Sequence, residues 1–463
     1  MGKGVTKKRL GKKSRIIALV GVVGLVLGGW CASRWDVWFD NPDEAAYTPS
    51  NVPTRVLLTF GNENGLTRNV SWTAGKTVQK AFVELFDRDD SLMSRVDAVG
   101  EVFESRSGQA VYYVARLRDM KAGHAYRYRV CTGNQYSAWY AFHLPTEEEG
   151  HTSFLYMGDI QDSIGGMANQ LLRKALHHHP DAEFLVCGGD LTERPTDAYW
   201  GETFESLDSV GQAMPVLTVT GNHDYLKGVI CQLERRFSLI HSYFLDSMIG
   251  ENQVFTVCYQ DVQMFCLDGN REFFYLATQR KWLREQMSKS QAKWKIVVIH
   301  HPLYSIRGSM NNIIQRWMFD GLIREQGVDL VLQGHEHAYA RMTAHDDDGK
   351  AATPIYTISH CSPKNYRIEF DERFDKFGSG SRYYQTVRTH ADTLFLAAYD
   401  AFTHSLYDSL LIVKREDMAR VIDLGQDIPE RIHFTPNPNN RKDVAFAQRI
   451  EAYKKKSKSK KFQ

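Results

Sequence analysis

Residues 221–224 include three side chains that can bind metal ions or transfer protons: Asn222, His223 and Asp224. They directly follow an apolar run at 215–219 that is typical of a buried strand. Gly221 lets the chain turn sharply, so the three side chains are expected at the carboxyl end of that strand, where open α/β sheets bind ligands. A Gly-Asn turn after a strand is common, so this stretch alone does not define a site.

The same arrangement recurs at four more strand ends. Apolar runs at 154–157, 184–187, 295–299 and 330–333 are each followed by acids or histidines. The side chains concerned are Asp159, Asp190, His300, His301, His335 and His337. Five such strand ends in order are hard to explain as five separate turns. They predict one polar site at a shared sheet edge.

Helix-length amphipathic segments at 169–178, 198–210, 279–289 and 311–326 separate these strands. Strands that alternate with helices predict an α/β fold with a mostly parallel sheet. From residue 52 to 146 the pattern changes to short alternating strands with turns between them, which predicts a small all-β sandwich. Trp72, Tyr126 and Tyr128 are expected on or beside its core.

The ordered set Gly-Asp, Gly-Asp, Gly-Asn-His-Asp, Val-Val-Ile-His and Gly-His-Glu-His resembles the calcineurin-like metallophosphoesterases. Residues 334–341, Gly-His-Glu-His-Ala-Tyr-Ala-Arg, resemble the purple acid phosphatase branch in particular. The resemblance implies a four-layer β-sandwich with flanking helices. Residues 126–130, Tyr-Arg-Tyr-Arg-Val, make the preceding segment similar to the fibronectin-like domain found before the catalytic domain of larger members.

The resemblance also implies two metal ions, for which a histidine-plus-oxygen ligand set suits Fe, Zn or Mn. Asp190 would bridge the two ions. Asp159 and His337 would complete metal one, and Asn222, His300 and His335 would complete metal two. The metals would activate water for in-line attack on phosphorus and offset the charge of the phosphate.

Four further residues are candidates for catalysis. His223 is placed to hydrogen-bond the phosphate or the leaving-group oxygen, with Asp224 orienting its ring. His301, beside the ligand His300, would either aid catalysis or face away. Arg341 matches the family arginine after the histidine pair and would orient that loop or contact phosphate.

Three positions depart from the purple acid phosphatase pattern. Glu193 stands where a tyrosine ligand to iron is expected, so the iron charge-transfer band should be absent. Gln161 stands where the broader superfamily has a histidine ligand, so metal one depends on Gln161 or Glu193 for a further ligand. Met310 stands where a histidine is expected, which puts an acid pH optimum in doubt.

The chain ends suggest export and a solvated tail. The first fifteen residues hold seven basic side chains and no acid, and residues 16–33 carry no charge. This pattern predicts a cleaved signal peptide or a retained membrane anchor, with a buried helix as a third interpretation. The predicted locations are periplasmic, extracellular or anchored facing outside. The expected segments are the leader or anchor 1–33, a linker 34–51, the sandwich 52–146, the catalytic domain 147–425 and an extension 426–463 with a disordered Lys-rich tail.

Charge and cysteine content narrow the function classes. The two ends hold thirteen of the 57 basic residues and none of the 55 acids, so the body is acidic and does not resemble a nucleic-acid binder. Seven cysteines without metal-site spacing do not predict a disulfide framework. No obligate protein partner is inferred.

The first prediction for function is therefore an exported hydrolase of phosphorylated small molecules, most simply a phosphomonoesterase. A phosphodiesterase or nucleotide hydrolase of the same fold is an alternative. A surface-attached binding module with a degraded metal site is a second alternative, motivated by Gln161 and Glu193. A structural cell-envelope protein is a third.

Overall fold

The computed structural model describes residues 12–61, 65–146, 150–228, 230–245, 247–415 and 418–460. The predicted leader therefore lies partly outside the described residues, as do the last three residues of the tail. A helix, α1 (Lys12–Phe39), precedes an extended segment that leads into the first domain.

The N-terminal domain is all-β, as predicted. Its strands are β1 (Thr54–Phe60), β2 (Arg68–Thr73), β3 (Ala81–Asp87), β4 (Leu92–Asp97), β5 (Val99–Ser105), β6 (Gly108–Leu117), β7 (Ala125–Thr132), β8 (Gln135–Tyr136) and β9 (Tyr140–His143). One sheet has the order β1-β2-β6-β5, and the other has the order β4-β3-β7-β8 with β9 beside β7. Trp72, Tyr126 and Tyr128 are buried between the two sheets. The sequence pattern does not predict β4 and β5, because most of their side chains are exposed and show no apolar alternation.

The second domain contains the remaining strands and helices. Its first half comprises β10 (His151–Met157), α2 (Ala168–His178), β11 (Phe184–Cys187), α3 (Asp197–Ser206), β12 (Val216–Thr218), a 3₁₀ turn (Asn222–Asp224), β13 (Tyr225–Leu226), β14 (Gln232–Leu233), α4 (Arg235–Ile240), β15 (Phe255–Tyr259), β16 (Val262–Leu267), α5 (Phe273–Lys289) and β17 (Trp294–Ile299). Its second half comprises α6 (Ile313–Glu325), β18 (Leu330–Gln333), β19 (Tyr339–His345), β20 (Ala351–Ile358), β21 (Lys376–Ser379), β22 (Tyr383–His390), β23 (Thr393–Asp400), β24 (Leu406–Arg415), β25 (Met418–Asp423), β26 (Arg431–Ile432) and α7 (Arg441–Lys460).

Two large sheets pack face to face and carry helices on their outer sides. The first sheet has the order β12-β11-β10-β22-β23-β24-β25, and the second has the order β15-β16-β17-β18-β20-β19-β21-β26. Phe154 and Val186 of the first sheet share an apolar core with Ile296 and Leu332 of the second. Helices α2 and α3 cover the first sheet, and α5 and α6 cover the second. This confirms the predicted α/β four-layer sandwich.

Parallel pairing sets the position of the site. Strands β10, β11 and β12 are parallel, as are β16, β17, β18 and β20. Their carboxyl ends therefore meet at one edge of the sandwich. The sheets are mixed rather than mostly parallel, because β22 to β25 form an antiparallel meander with short connections.

The two domains contact each other through side chains and backbone. The Arg55 guanidinium pairs with Asp197 at 2.7 Å, and the Tyr128 hydroxyl donates to the Gln212 carbonyl oxygen at 2.8 Å. Asn69 Nδ2 donates to the carbonyl oxygens of Ser242 and Tyr243. The sandwich thus packs against the second domain on the side of α3 and α4.

Both ends of the chain have a structure that differs from what the sequence predicted. Several apolar side chains of α1, including Leu25 and Trp30, are exposed, which contradicts the interpretation of a buried helix. Within the described residues, no helix has the length and apolar character that crossing a membrane requires. At the other end, the Lys-rich tail was expected to be disordered, but α7 continues into it as far as Lys460. The extension before the tail is also folded: β26 pairs with β21, and α7 buries Phe446 and Ile450 in the core beside the second sheet.

Candidate metal centre

Three ligand atoms converge between the two sheets. Asn222 Oδ1 lies 3.2 Å from His300 Nε2 and 2.7 Å from His335 Nδ1, and the two ring nitrogens are 3.3 Å apart. Metal–ligand bonds of about 2.0–2.1 Å place neighbouring ligands about 2.8–3.4 Å apart in octahedral or tetrahedral sites. The spacing of these atoms therefore fits a transition-metal ion.

The backbone fixes which His300 nitrogen faces this position. His300 Nδ1 donates to the Gly188 carbonyl oxygen at 2.8 Å, and a carbonyl oxygen can only accept. The neutral ring therefore presents the lone pair of Nε2 toward Asn222 and His335. Asn222 is exposed and His335 is partly exposed, so a ligand in solution can reach this side of the centre.

Asp190 belongs to both candidate ion sites. Its ligand atoms lie within 4.8 Å of those of His300 and His335, and within the same distance of those of Asp159 and His337. Asp159 Oδ1 is 3.4 Å from His337 Nε2. Asp159, Asp190 and His337 are all buried. A carboxylate with two oxygens at the junction of two ligand groups suits a bridge between two cations.

The electrostatics of the centre also favour cations. Burial lowers the pKa of His300, but the adjacent Asp190 carboxylate overrides it and raises the pKa to about 10. Asp159 Oδ1, Gln161 Oε1 and His337 Nδ1 are buried and have no hydrogen-bond partner among the described residues. Buried polar atoms without partners are costly, and a bound cation would compensate the oxygens.

Four of the candidate ligands have a strained backbone. The φ angles are +48° at Asp159, +51° at Asp190, +71° at His335 and +40° at His337. Residues with a Cβ rarely adopt this region, and such strain concentrates at functional sites. The turns are also very tight, because a Cβ on Gly221 would lie 2.0 Å from the Asp190 nitrogen. Only glycine fits there.

Gln161 and Glu193, the two residues near metal one that depart from the family pattern, make different contacts. The Gln161 amide lies against the candidate ligand His337, with Nε2 3.3 Å from His337 Nε2. The Glu193 carboxylate instead pairs with Lys364, at 2.6 and 2.7 Å from Nζ. The prediction that Glu193 could ligate metal one is not supported by this contact, because the Lys364 ammonium occupies both carboxylate oxygens.

His223 is oriented by the backbone rather than by Asp224. Its Nδ1 donates to the Glu193 carbonyl oxygen at 2.6 Å, and its backbone nitrogen donates to Asp190 Oδ1 at 2.8 Å. The expectation that Asp224 orients the ring was wrong. The 3₁₀ turn carries the Asp224 carboxylate back over Gly221, where Oδ2 accepts from the nitrogens of Gly221 and Asp190. Burial and the Asp190 charge raise the pKa of Asp224 to about 8.

The structure also shows what His301 and Arg341 contact. The His301 ring packs on the ligand His335, with centroids 4.3 Å apart, and burial together with His300 lowers its pKa to about 3. Arg341 is buried in β19, where its guanidinium binds Asp408 at 2.7 Å, Asp423 at 2.7 Å and Asp375 at 3.1 Å. Of the two roles expected for Arg341, contact with phosphate is not supported, because three carboxylates pair with its guanidinium, and orientation of the loop stays a prediction.

Sequence reasoning missed three residues beside the centre. Glu336, between the two candidate histidine ligands, accepts from the Ser305 hydroxyl and the Ile306 nitrogen. Tyr366 stacks on His337 at 4.4 Å, and Lys364 holds Glu193. Lys364 and Tyr366 follow β20, which is parallel to β18, so their position after one more parallel strand was the signal available in the sequence.

Comparison with known proteins agrees with this geometry. Residues 152–339 match the family described as calcineurin-like phosphoesterase, and residues 53–144 match the N-terminal domain of purple acid phosphatases. The chain contains a calcineurin-like phosphoesterase domain. That domain spans every candidate ligand from Asp159 to His337, and the matched N-terminal domain coincides with the sandwich.

Relatives and solved structures extend the comparison. Purple acid phosphatase 17 of Arabidopsis thaliana is 25% identical over 299 residues, which is 57% of this chain and 85% of that protein. Purple acid phosphatase 3 of the same plant is 23% identical over 57% of this chain and 78% of its own length. The structure of purple acid phosphatase PPD1 from yellow lupin, Lupinus luteus, has a TM-score of 0.65 at 16% identity, covering 78% of this chain and 74% of that one. The PhoD structure has a TM-score of 0.61 at 12% identity, covering 90% and 100%.

These matches confirm the predicted family and class of enzyme, a metal-dependent phosphatase. The family implies a dinuclear metal site, and the ligand groups around Asp190 fit one.

Proposed function

We propose that this chain is an exported, dinuclear phosphomonoesterase. The observation that carries the proposal is the convergence of Asn222 Oδ1, His300 Nε2 and His335 Nδ1 within 3.3 Å of one another, next to Asp190. Relatives named purple acid phosphatases, at 22 to 25% identity over 57 to 65% of this chain, support a phosphatase that acts on phosphomonoesters.

Two metal ions, drawn from Fe, Zn and Mn, would be held by this set. Asp159, Asp190, His337 and the Gln161 amide would hold one, and Asp190, Asn222, His300 and His335 would hold the other. When bound, the ions would supply positive charge to offset the phosphate and would lower the pKa of water so that it attacks phosphorus.

The chain's own residues position the substrate and move protons. His223 donates Nδ1–H to the Glu193 carbonyl oxygen, so its Nε2 remains for the substrate. In the protonated ring, Nε2–H can donate to the leaving-group oxygen, which needs a proton as its bond to phosphorus breaks. His301 fixes the ring plane of His335 by packing on it. Glu193, held by Lys364, acts through its carbonyl oxygen on His223 and not as a metal ligand.

Export is the second part of the proposal. The support is the basic stretch followed by an uncharged run at 16–33, which is the pattern of a signal peptide or anchor. The location would be periplasmic, extracellular or on the outer side of a membrane. Cell fractionation of an epitope-tagged full chain would test it, because recovery in the cytoplasm alone would contradict export.

The test of the activity uses the full chain. Elemental analysis is paired with turnover of p-nitrophenyl phosphate and of bis(p-nitrophenyl) phosphate, before and after chelation. We expect about two metal ions per chain and chelator-sensitive turnover that favours the monoester. Preference for the diester would support a phosphodiesterase. No turnover after Mn, Zn and Fe are each supplied would support the non-catalytic binding module.

A further inference from the structure

A group of exposed apolar side chains lies beside the metal centre. It is formed by the loop and first turn that begin α5 and by those that begin α6, and we call it the aromatic rim: Phe273, Phe274, Met310, Ile313, Ile314 and Trp317. Phe274 is 79% exposed and Trp317 is 68% exposed. Large apolar side chains that cluster on a surface mark binding sites more often than scattered ones do.

The two segments of the rim are joined to each other. The Phe273 and Trp317 rings stack with centroids 5.7 Å apart at an interplanar angle of 22°. Gln315 Nε2 donates to the Gly269 carbonyl oxygen at 2.9 Å. The two helix starts that carry the rim are therefore joined through Phe273, Trp317 and Gln315.

Hydrogen bonds fix the rim against the candidate ligands. Asn270 Nδ2 donates to the Thr220 carbonyl oxygen at 3.0 Å, two residues before Asn222. Asn312 Nδ2 donates to the Pro302 carbonyl oxygen at 3.1 Å, two residues after His300. A Cβ on Gly269 would lie 3.1 Å from His301 Nδ1, and His301 packs on His335. The Gly269 backbone therefore lies close to the His301 ring, which packs on the candidate ligand His335.

We propose that the aromatic rim binds the alcohol part of the substrate, and that this part is a large apolar group. The substrate class is phosphate monoesters of long-chain or aromatic alcohols. A phosphate bound at the metal centre directs its ester oxygen away from the ligands, and the loops that carry the rim begin at the carboxyl ends of β16 and β17, beside Thr220 and Pro302. Each methylene buried on the rim strengthens binding by about fourfold. This inference rests on the proposed phosphomonoesterase function.

The test compares alkyl phosphates of increasing chain length, each as a monomer in solution. Phosphate release from ethyl, butyl and octyl phosphate is measured with the metal-loaded full chain. We expect kcat/KM for octyl phosphate to exceed that for ethyl phosphate roughly tenfold or more, mainly through KM. In the double variant Phe274→Ser and Trp317→Ser, this ratio should fall by about fivefold or more.

A matched control is available in the sandwich. Leu92 and Met93 on β4 are also exposed apolar residues, so Leu92→Ser with Met93→Ser likewise removes two exposed apolar side chains, but in the N-terminal domain. The control should keep the octyl-to-ethyl ratio of the wild type. Circular dichroism and metal content establish that each variant is folded and loaded.

Three results would overturn the inference. They are a wild-type ratio near one, an equal fall of the ratio in the control, and a chain-length preference that appears only when the ester is embedded in phosphatidylcholine vesicles. The last result would instead assign the rim to a lipid surface. Calorimetric binding of octylphosphonate against ethylphosphonate gives the same comparison without turnover. An inert enzyme that still prefers octylphosphonate would contradict the proposed function and leave the rim supported.

Discussion

Two groups of carboxylates and imidazoles in this chain each have ligand atoms close enough to share a cation. They differ in backbone conformation and in whether the protein satisfies their oxygens. The edge group is Asp159, Asp190, His300, His335 and His337, and the turn group is Asp87, Asp89 and His124. In the turn group, Asp87 Oδ1 accepts from the nitrogens of Asp89 and Asp90, its Oδ2 lies 3.0 Å from His124 Nδ1, and Asp89 Oδ2 accepts from the Ala125 nitrogen.

Ligand types and short distances are therefore not sufficient to define a metal site. The turn group closes a surface turn, and its oxygens are satisfied by the protein. Four of the five edge-group residues have left-handed backbone conformations, and Asp159 Oδ1 has no hydrogen-bond partner among the residues described. Strain and unsatisfied buried atoms are tolerated where a ligand compensates them.

The largest expected effect comes from removing the shared carboxylate of the edge group. Asp190→Ala should lower kcat/KM for p-nitrophenyl phosphate by about 10³-fold or more, because both candidate ion sites lose a ligand. Metal content should fall with it. Asp87→Ala is the matched change in the turn group, and we expect it to alter turnover less than about twofold and to leave the metal content unchanged. Equal losses in the two variants would remove the distinction between the groups.

A smaller loss of turnover is expected from a change at His223, which lies beside the edge group. This change should impair proton transfer without impairing metal binding. His223→Asn should lower kcat by about 10²- to 10³-fold for alkyl phosphates, because the leaving group then lacks its proton donor. p-Nitrophenyl phosphate, whose leaving group needs little protonation, should lose much less. The metal content should stay at the wild-type level. If metal is lost together with activity, His223 belongs among the ligands and this role is wrong.

Metal removal should change stability through the edge group alone. A ligand present at a hundred times its dissociation constant stabilises the folded state by about 2.7 kcal/mol. Chelation should therefore lower the apparent Tm by several degrees in the wild type and in Asp87→Ala, with little change in Asp190→Ala. Differential scanning fluorimetry with and without chelator measures this. A chelator-dependent shift that disappears in Asp87→Ala would make the turn group the metal site.

Much of this contrast could be predicted from the sequence, because the edge group follows four strand ends in order, and Asn222 follows a fifth. Parallel strands bring their carboxyl ends together, so Asp159, Asp190 and His300 could be assigned to one place without a structure. The apolar strands and the tight turns that follow them are local sequence features, so these positions could be predicted without knowledge of contacts between distant segments.

Other features depended on contacts between distant segments. Glu193 is neutralised by Lys364, 171 residues later, and Arg341 is engaged by carboxylates of β24 and β25. No local pattern encodes such pairs. The fold of the C-terminal extension was missed for a similar reason, since the buried Phe446 and Ile450 lie among polar and charged residues that resemble a solvated helix.

The smallest effect concerns the stability of the turn group and its pH dependence. Burial raises the pKa of Asp87, but hydrogen bonds from the Asp90 nitrogen, His124 and the Asp89 nitrogen outweigh it, and the net shift is downward. A carboxyl whose folded pKa is lowered stabilises the fold fully above its unfolded pKa of about 3.9, and this contribution is lost as the pH falls through the folded value. Asp87→Ala should cost about 1–2 kcal/mol at pH 7, the usual cost of losing hydrogen bonds of this kind, and less as the pH falls below about 4. Urea unfolding of both proteins in chelator, at pH 7 and at pH 3, measures the difference.

A cost that is independent of pH would mean that packing, rather than the charged carboxylate, accounts for it. A cost that grows when Mn²⁺ replaces the chelator would mean that the turn group binds a cation, and the contrast with the edge group would fail.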